Sequence, residues 1–270
     1  MVETDRALKF IESAGEPVVT ALAQFACHKL DAAAALQRMS VYQQPDGGWS
    51  RTDKDFQGDL SAVSTTWVAM QWLIWLGAAK SAIFDRTAHF VQRMQRVDGS
   101  WDEPEEIIGW NPPPWMMPGR YENQLWLTSA VCCKLAEAGR QNEVAFAKAL
   151  DFLRQGWQGD RFPVFIHTHW MALPLFANHV GGSCLDRDIA RGCKRFLLQA
   201  VADRTADSGD LAAIAYAARL AGESAIDLYE LALQGVLCNQ QPDGGFATRY
   251  GEKHRPQLTV DALFLLRNYS

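Results

Sequence analysis

The sequence predicts an all-α protein, a single α/α toroid of about six helical hairpins filling residues 1–270, and three observations predict it. Apolar residues recur at helical spacing nearly everywhere, and no run of alternating β-branched residues is long enough to suggest a sheet. Segments that are apolar or small on almost every face alternate with amphipathic ones, which implies an inner and an outer layer of helices. A turn spelled Gln-x-x-Asp-Gly-Gly/Ser-aromatic occurs at 43–49, 95–101 and 240–246, each time after an amphipathic segment and before an apolar one.

The elements follow in chain order. "DRALKFIES", "VVTALAQFACHKL" and "AAAALQRMSVYQ" open the chain with a pair-like set of helices. The first turn leads into an inner helix near 60–77, and "FDRTAHFVQRMQ" is the next outer helix. The second turn leads to an inner helix near 122–138, followed by the outer "EVAFAKALDFLRQ". A worn fourth turn, "RQGWQGDRFP", keeps the outline through Gln155 and Phe162 and precedes an inner helix near 167–180. The outer "RDIARGCKRFLLQAV" and inner 209–221 come next, then the outer "AIDLYELALQGVLCNQ", the third turn and a last inner helix near 257–268. Gly77, Gly139, Gly181 and Gly222 each follow an inner helix, as left-handed stops should. Within each turn glycine permits the tight bend and the aspartate caps backbone amides. The aromatic packs on the preceding helix end, and the glutamine bonds to free backbone at the junction.

Composition narrows the function classes. A chain of 270 residues that is 48% hydrophobic can bury a sizeable core. A net charge of −5, with no basic block, excludes a nucleic-acid face. The six cysteines form no CxxC pair and follow no secretory signal, so they read as buried thiols in a reducing, cytoplasmic compartment. No window reaches the roughly 18 apolar residues of a membrane span, which leaves a soluble protein with at most peripheral membrane contact.

The three turns are similar to the QW repeats of the squalene–hopene and oxidosqualene cyclases, the class II diterpene cyclases and the wider prenyltransferase/squalene-oxidase repeat group. That likeness covers essentially the whole chain and implies the toroid. "DSGDLAAIAYAARLAGE" and "RYGEKHRPQLTVDALFLLRN" resemble the Asp-x-Asp-Asp-Thr-Ala helix and the Pro-Gly-Glu-Arg-x-x-Ser segment of bacterial class II diterpene cyclases. One register sets Asp207 and Asp210 on the first and last aspartates and Gly209 on the middle one, the family's proton donor. A one-residue slip sets Asp210 on the donor. Both registers stay open, as does the departure from a family whose cavity lies between two toroids.

The resemblance implies protonation-initiated cyclisation of a linear isoprenoid, with a prenyl diphosphate as the expected substrate. Such chemistry needs a carboxylic acid kept protonated in a dry site, and aromatic faces for the cation. Asp210, with Asp207 one turn before it, is the candidate acid, and a plain helix cap is the alternative. Trp67, Trp126, Trp170, Tyr216 and Phe264 on the inner helices, with His167 and His169, are candidate cavity residues or ordinary core. Arg120, Lys253 and Arg255 could hold a diphosphate. Asp102 and Glu105, in the acidic run that also holds Glu103 and Glu106, could bind its Mg²⁺ or form a solvated loop. No Asp-x-Cys pair supports zinc, and nothing points to an organic cofactor. The Pro-rich "GWNPPPWMMPG" is a lid, a contact surface or packing over a helix end. Alternatives to a lone enzyme are an isoprenoid-binding toroid without catalysis, a second toroid subunit or a homodimer completing a cyclase, and a glycan-processing α/α barrel.

Overall fold

In the computed structural model, which describes residues 3–14, 16–142, 144–180 and 182–267, the chain is all-helical. Twelve α-helices lie among the described residues: α1 (Thr4–Ala14), α2 (Pro17–Ala26), α3 (Ala32–Ser40), α4 (Val63–Trp75), α5 (Ala82–Met94), α6 (Tyr121–Glu137), α7 (Val144–Gly156), α8 (Ile166–Asn178), α9 (Cys184–Ala202), α10 (Ser208–Ala221), α11 (Ile226–Cys238) and α12 (Arg255–Arg267). They match the predicted segments in order and type. The even-numbered helices α4, α6, α8, α10 and α12 are those predicted as inner. Gly77, Gly139 and Gly222 have φ of +73°, +78° and +72° and stop α4, α6 and α10 as expected; Gly181 lies outside the described residues.

The helices group into two compact units, residues 1–40 with 194–270 and residues 41–193. In the first, α12 packs on α2, α10 and α1, and α10 packs on α11. In the second, α6 packs on α4, α7 and α8.

The repeated turns have one construction. Gly47, Gly99 and Gly244 have φ near +90°, and a β-carbon on them would come within 2.4, 2.3 and 2.3 Å of the carbonyl oxygens of Arg86, Lys148 and Arg6. Each turn is therefore seated directly on the backbone of the next outer helix. The glutamines secure that seat. Gln43 Nε2 donates to Gly47 O and Ile83 O, Gln95 Nε2 to Gly99 O and Ala145 O, and Gln240 Nε2 to Gly244 O and Glu3 O. The bonds to the turn carbonyls are local to the junction, as the sequence leads one to expect; the same amide also reaches across to the following outer helix. The aspartates accept from Gly48 N, Ser100 N and Gly245 N, as expected of caps. Trp49, Trp101 and Phe246 are buried, and their backbone amides donate to Thr66, Thr128 and Thr259 on the inner helices.

Gln240 ties the last turn to the first helix, because Glu3 N also donates to Gln240 Oε1 at 2.7 Å. Gln240→Ala is expected to lower stability by about 1–3 kcal/mol, since it strands Glu3 and Gly244 backbone groups. Urea denaturation measures the loss, and the amides of α1 should exchange with solvent first.

The fourth turn is present with a different clamp. Phe162 N donates to His169 Nε2 at 3.2 Å, where the other turns use threonine. His169 Nδ1 faces Phe165 O at 3.2 Å, so the ring is a neutral Nδ1–H tautomer with both nitrogens engaged. Burial, ahead of the Arg161 charge, pushes its pKa down to about 4. Among the cysteines, Cys132, Cys133 and Cys193 are buried as expected; Cys27 is half-buried, and Cys184 and Cys238 are exposed on α9 and α11. Among the described residues no helix is long and apolar enough to cross a membrane.

Candidate active site

The entry to α10 carries the candidate acid. Asp207 is the N-cap: its Oδ1 accepts from Gly209 N at 2.9 Å and Asp210 N at 3.0 Å, and its Oδ2 from Thr248 Oγ1 at 2.6 Å and Arg249 N at 2.9 Å. Asp210 completes a capping box by accepting from Asp207 N at 3.1 Å. Capping by Asp207 and burial of Asp210 thus coexist. Asp210 is 0% exposed, and its carboxylate also takes Arg249 Nη2 at 2.8 Å and Tyr250 Oη at 3.0 Å. Burial raises its pKa and the charge of Asp207 adds to the rise, against the Asp207 amide, Arg249 and Tyr250. A carboxyl whose neutral form is favoured by burial, yet whose oxygens are held by a cation and a phenol, can deliver a proton and keep the resulting charge in place.

Position 209 is tight, because a β-carbon there would lie 2.8 Å from the methyls of Leu258, which would have to shift to admit it. Arg249 and Tyr250 are partners that sequence reasoning missed. The only available signal was their place just after the third turn, in the segment that also supplied Lys253 and Arg255.

The other candidates fall in several places. Arg255 is nearly buried: it donates to both oxygens of Asp243, to Glu252 and to Phe246 O, and lies 4.7 Å from the Phe10 ring centre. It braces the third turn rather than standing as a free cation. Lys253 is exposed in the short turn Glu252–His254, and Arg120 is exposed just before α6. Phe264 is buried on α12, with its ring 5.9 Å from Phe25. Tyr216 is half-buried on α10, with Arg219 5.1 Å over its ring.

In the unit of residues 41–193, Trp67 on α4 and Trp126 on α6 meet edge to face at 5.4 Å. Trp115 from the Pro-rich loop stacks on Trp126 at 5.8 Å. His167 packs against Trp170 at 4.5 Å, whereas His169 turns the other way into its clamp, so the two histidines diverge as their spacing requires. In the Pro-rich loop Met116 is buried in a core with Phe56, Ala62 and Ile107 and Trp115 packs against that core, while Trp110 is 52% exposed.

The acidic run divides by depth. Asp102 is buried and accepts from Glu103 N, Gly119 N and Gln124 Nε2 at 2.8–2.9 Å, with Arg96 at 3.6 Å, which commits it to holding the end of the Pro-rich loop. Glu105 is exposed. Among the described residues no group of three or more His, Cys, Asp or Glu is placed to hold a metal ion. Glu103, not singled out from the sequence, is 4% exposed and accepts from Val63 N at 2.7 Å and Ser64 N at 3.0 Å.

No protein-family model matches the chain, and no curated protein matches it. Among solved structures it is similar to the type II terpene cyclase MstE from Scytonema in its apo form, with a TM-score of 0.63 and 12% identity over 97% of this chain and 87% of that one. It is similar also to a variant of that enzyme in complex with its substrate, geranylgeranyl dihydroxybenzoate, with a TM-score of 0.62 and 13% identity over 97% of this chain and 86% of that one. At these identities the likeness is one of fold: the chain has the fold of a type II terpene cyclase, the α/α toroid that its repeats predict.

Proposed function

We propose that this protein is a terpene cyclase-like enzyme that closes rings on a linear isoprenoid by protonating an alkene, within one domain spanning 1–270. The observation that carries the reading is Asp210, fully buried one turn inside an inner helix and held by Arg249 and Tyr250. It acts as the acid, with Asp207 fixing its position. Aromatic side chains of the same unit, such as Tyr216 on α10, stabilise the cation through their ring faces. The likeness to MstE supports the reading, because a type II cyclase is there built on a chain that this one covers to 87%. The head group of the substrate is a diphosphate, with Mg²⁺ and Lys253 as contacts, or an aromatic acid such as the one named for MstE.

The test is incubation of the purified chain with C10 to C30 prenyl diphosphates and Mg²⁺, and with geranylgeranylated aromatic acids, followed by gas chromatography. Asp210→Asn is expected to lower cyclic product by about a hundredfold or more, the usual scale of a lost general acid. Wild type without cyclic product on any substrate would overturn the proposal. One observation favours a second reading, a non-catalytic isoprenoid-binding toroid or partner subunit: the Arg249 ion pair also suits a purely structural Asp210. Cyclic product from the purified chain alone would remove it.

A further inference from the structure

Glu103 is a buried carboxyl of the unit of residues 41–193 that is brought to its partners from a distant part of the chain. Inner helix α4 begins after Ala62, which has no side chain to cap it, and Glu103 arrives from forty residues downstream to take its first two amides. A cap alone would be met by a Ser or Asp at position 62. A buried glutamate adds a desolvated carboxyl beside an apolar core of Phe56, Ala62, Ile107 and Met116, with Leu60 and Trp115 packed on it. Trp67 follows Val63 by four residues, which sets it on the face of α4 whose first turn Glu103 caps. Trp67 then meets Trp126, and Trp126 stacks on Trp115. The indole N–H groups of Trp67 and of Trp170, itself 5% exposed, are buried without an acceptor.

From this arrangement we infer that Glu103 is a second proton-donating acid of this chain, and that an isoprenoid alkene takes its proton against the wall of Trp67, Trp126 and Trp115. The inference rests on the cyclase reading above and deepens it. In the step, the carboxyl O–H bond breaks and the alkene π pair forms a C–H bond with that proton, leaving a tertiary cation and a carboxylate. The two α4 amides, at the positive end of a helix, hold the carboxylate charge. The indole faces hold the cation during ring closure. Loss of a proton from the carbon beside the final cation, back to the carboxylate, makes a new C=C bond and restores the acid, so the net reaction is an isomerisation. Burial, ahead of the bonds from Ser64 and the amides that oppose it, with the Asp53 charge adding a smaller rise, lifts the Glu103 pKa to about 7, so much of it is neutral near pH 7.

The experiment has a readout independent of turnover. An isoprenoid amine that places an ammonium where the cation would form is titrated by Trp fluorescence, with geranylgeraniol as the neutral control. Glu103→Gln is expected to weaken the amine about tenfold while leaving the alcohol unchanged, and Glu106→Gln, an exposed carboxyl of the same run, to leave both unchanged. If Glu103→Gln does not fold, Trp67→Leu must give the same selective loss. Equal amine binding by wild type and the variant overturns the inference. Product assays separate it from the cyclase reading: cyclic product kept in Glu103→Gln but lost in Asp210→Asn sinks the role of Glu103 alone, whereas loss in Glu103→Gln supports it. Wild type without any cyclic product sinks both the reading and the proton transfer.

Discussion

Alanine at position 99 is expected to cost roughly 3–5 kcal/mol, a stability loss typical of a methyl added to the buried glycine of a repeat turn. Two effects add. The backbone there has φ of +90°, outside what an L side chain adopts without strain of order 1–3 kcal/mol. The new β-carbon would also sit 2.3 Å from Lys148 O, a backbone atom of α7 that cannot swing away, and such overpacking costs about 1–3 kcal/mol more. For a chain of this size the sum lowers Tm by about 10 °C. Gly139→Ala is the control, because its φ of +78° is equally left-handed while a β-carbon there meets nothing within 4 Å. Thermal unfolding that shows no larger loss for Gly99→Ala than for Gly139→Ala would refute the close seating of the turn on α7.

The second large effect is one that wild type conceals. Glu103 has its folded pKa raised to about 7, so the folded protein holds a proton that an unfolded glutamate, with a pKa near 4.5, releases. Its contribution to stability is full below that unfolded value and disappears as pH rises through 7. His169 has its folded pKa lowered to about 4, so below 6.5 it is the unfolded chain that binds the extra proton. Its contribution is present above 6.5 and disappears as pH falls through 4. Between pH 4.5 and 6.5 the two slopes are opposite, each about 1.4 kcal/mol per pH unit, and cancel. Glu103→Gln should therefore change stability relative to wild type by roughly 3 kcal/mol across that window, losing most at the acid end. His169→Gln should show the reverse trend, losing most near pH 6.5. Urea midpoints at several pH values check both, and parallel curves for wild type and variants would disprove the opposed titrations.

The two groups also show why the sequence was only partly legible. The three full turns could be read because their requirement is local: glycine for a positive φ against a neighbouring helix, an aspartate cap two residues before the amide it takes, and a buried aromatic. The fourth turn was faint because its clamp is His169 rather than threonine, and a histidine invites thoughts of catalysis before those of a backbone acceptor. Asp207 and Asp210 were visible as a cap pattern, since a capping box lies within four consecutive residues. Arg249 and Tyr250 reach Asp210 from about forty residues away, and Glu103 reaches Val63 over the same distance. No periodicity encodes such pairings; they follow from how one repeat is laid against the next. The pairing of Arg255 was hidden for a related reason, as a cation at a helix entry suits a ligand phosphate or Asp243 equally well until the third turn is folded.

The bond between Gln240 and Glu3 has a consequence for synthesis. The first helix emerges from the ribosome more than two hundred residues before the side chain that will tie it down, with its neighbour α2 to pack on in the meantime. A nascent protein of this design completes itself only at its last turn, so the lag before its N-terminal segment resists proteolysis should track the time needed to translate the remainder.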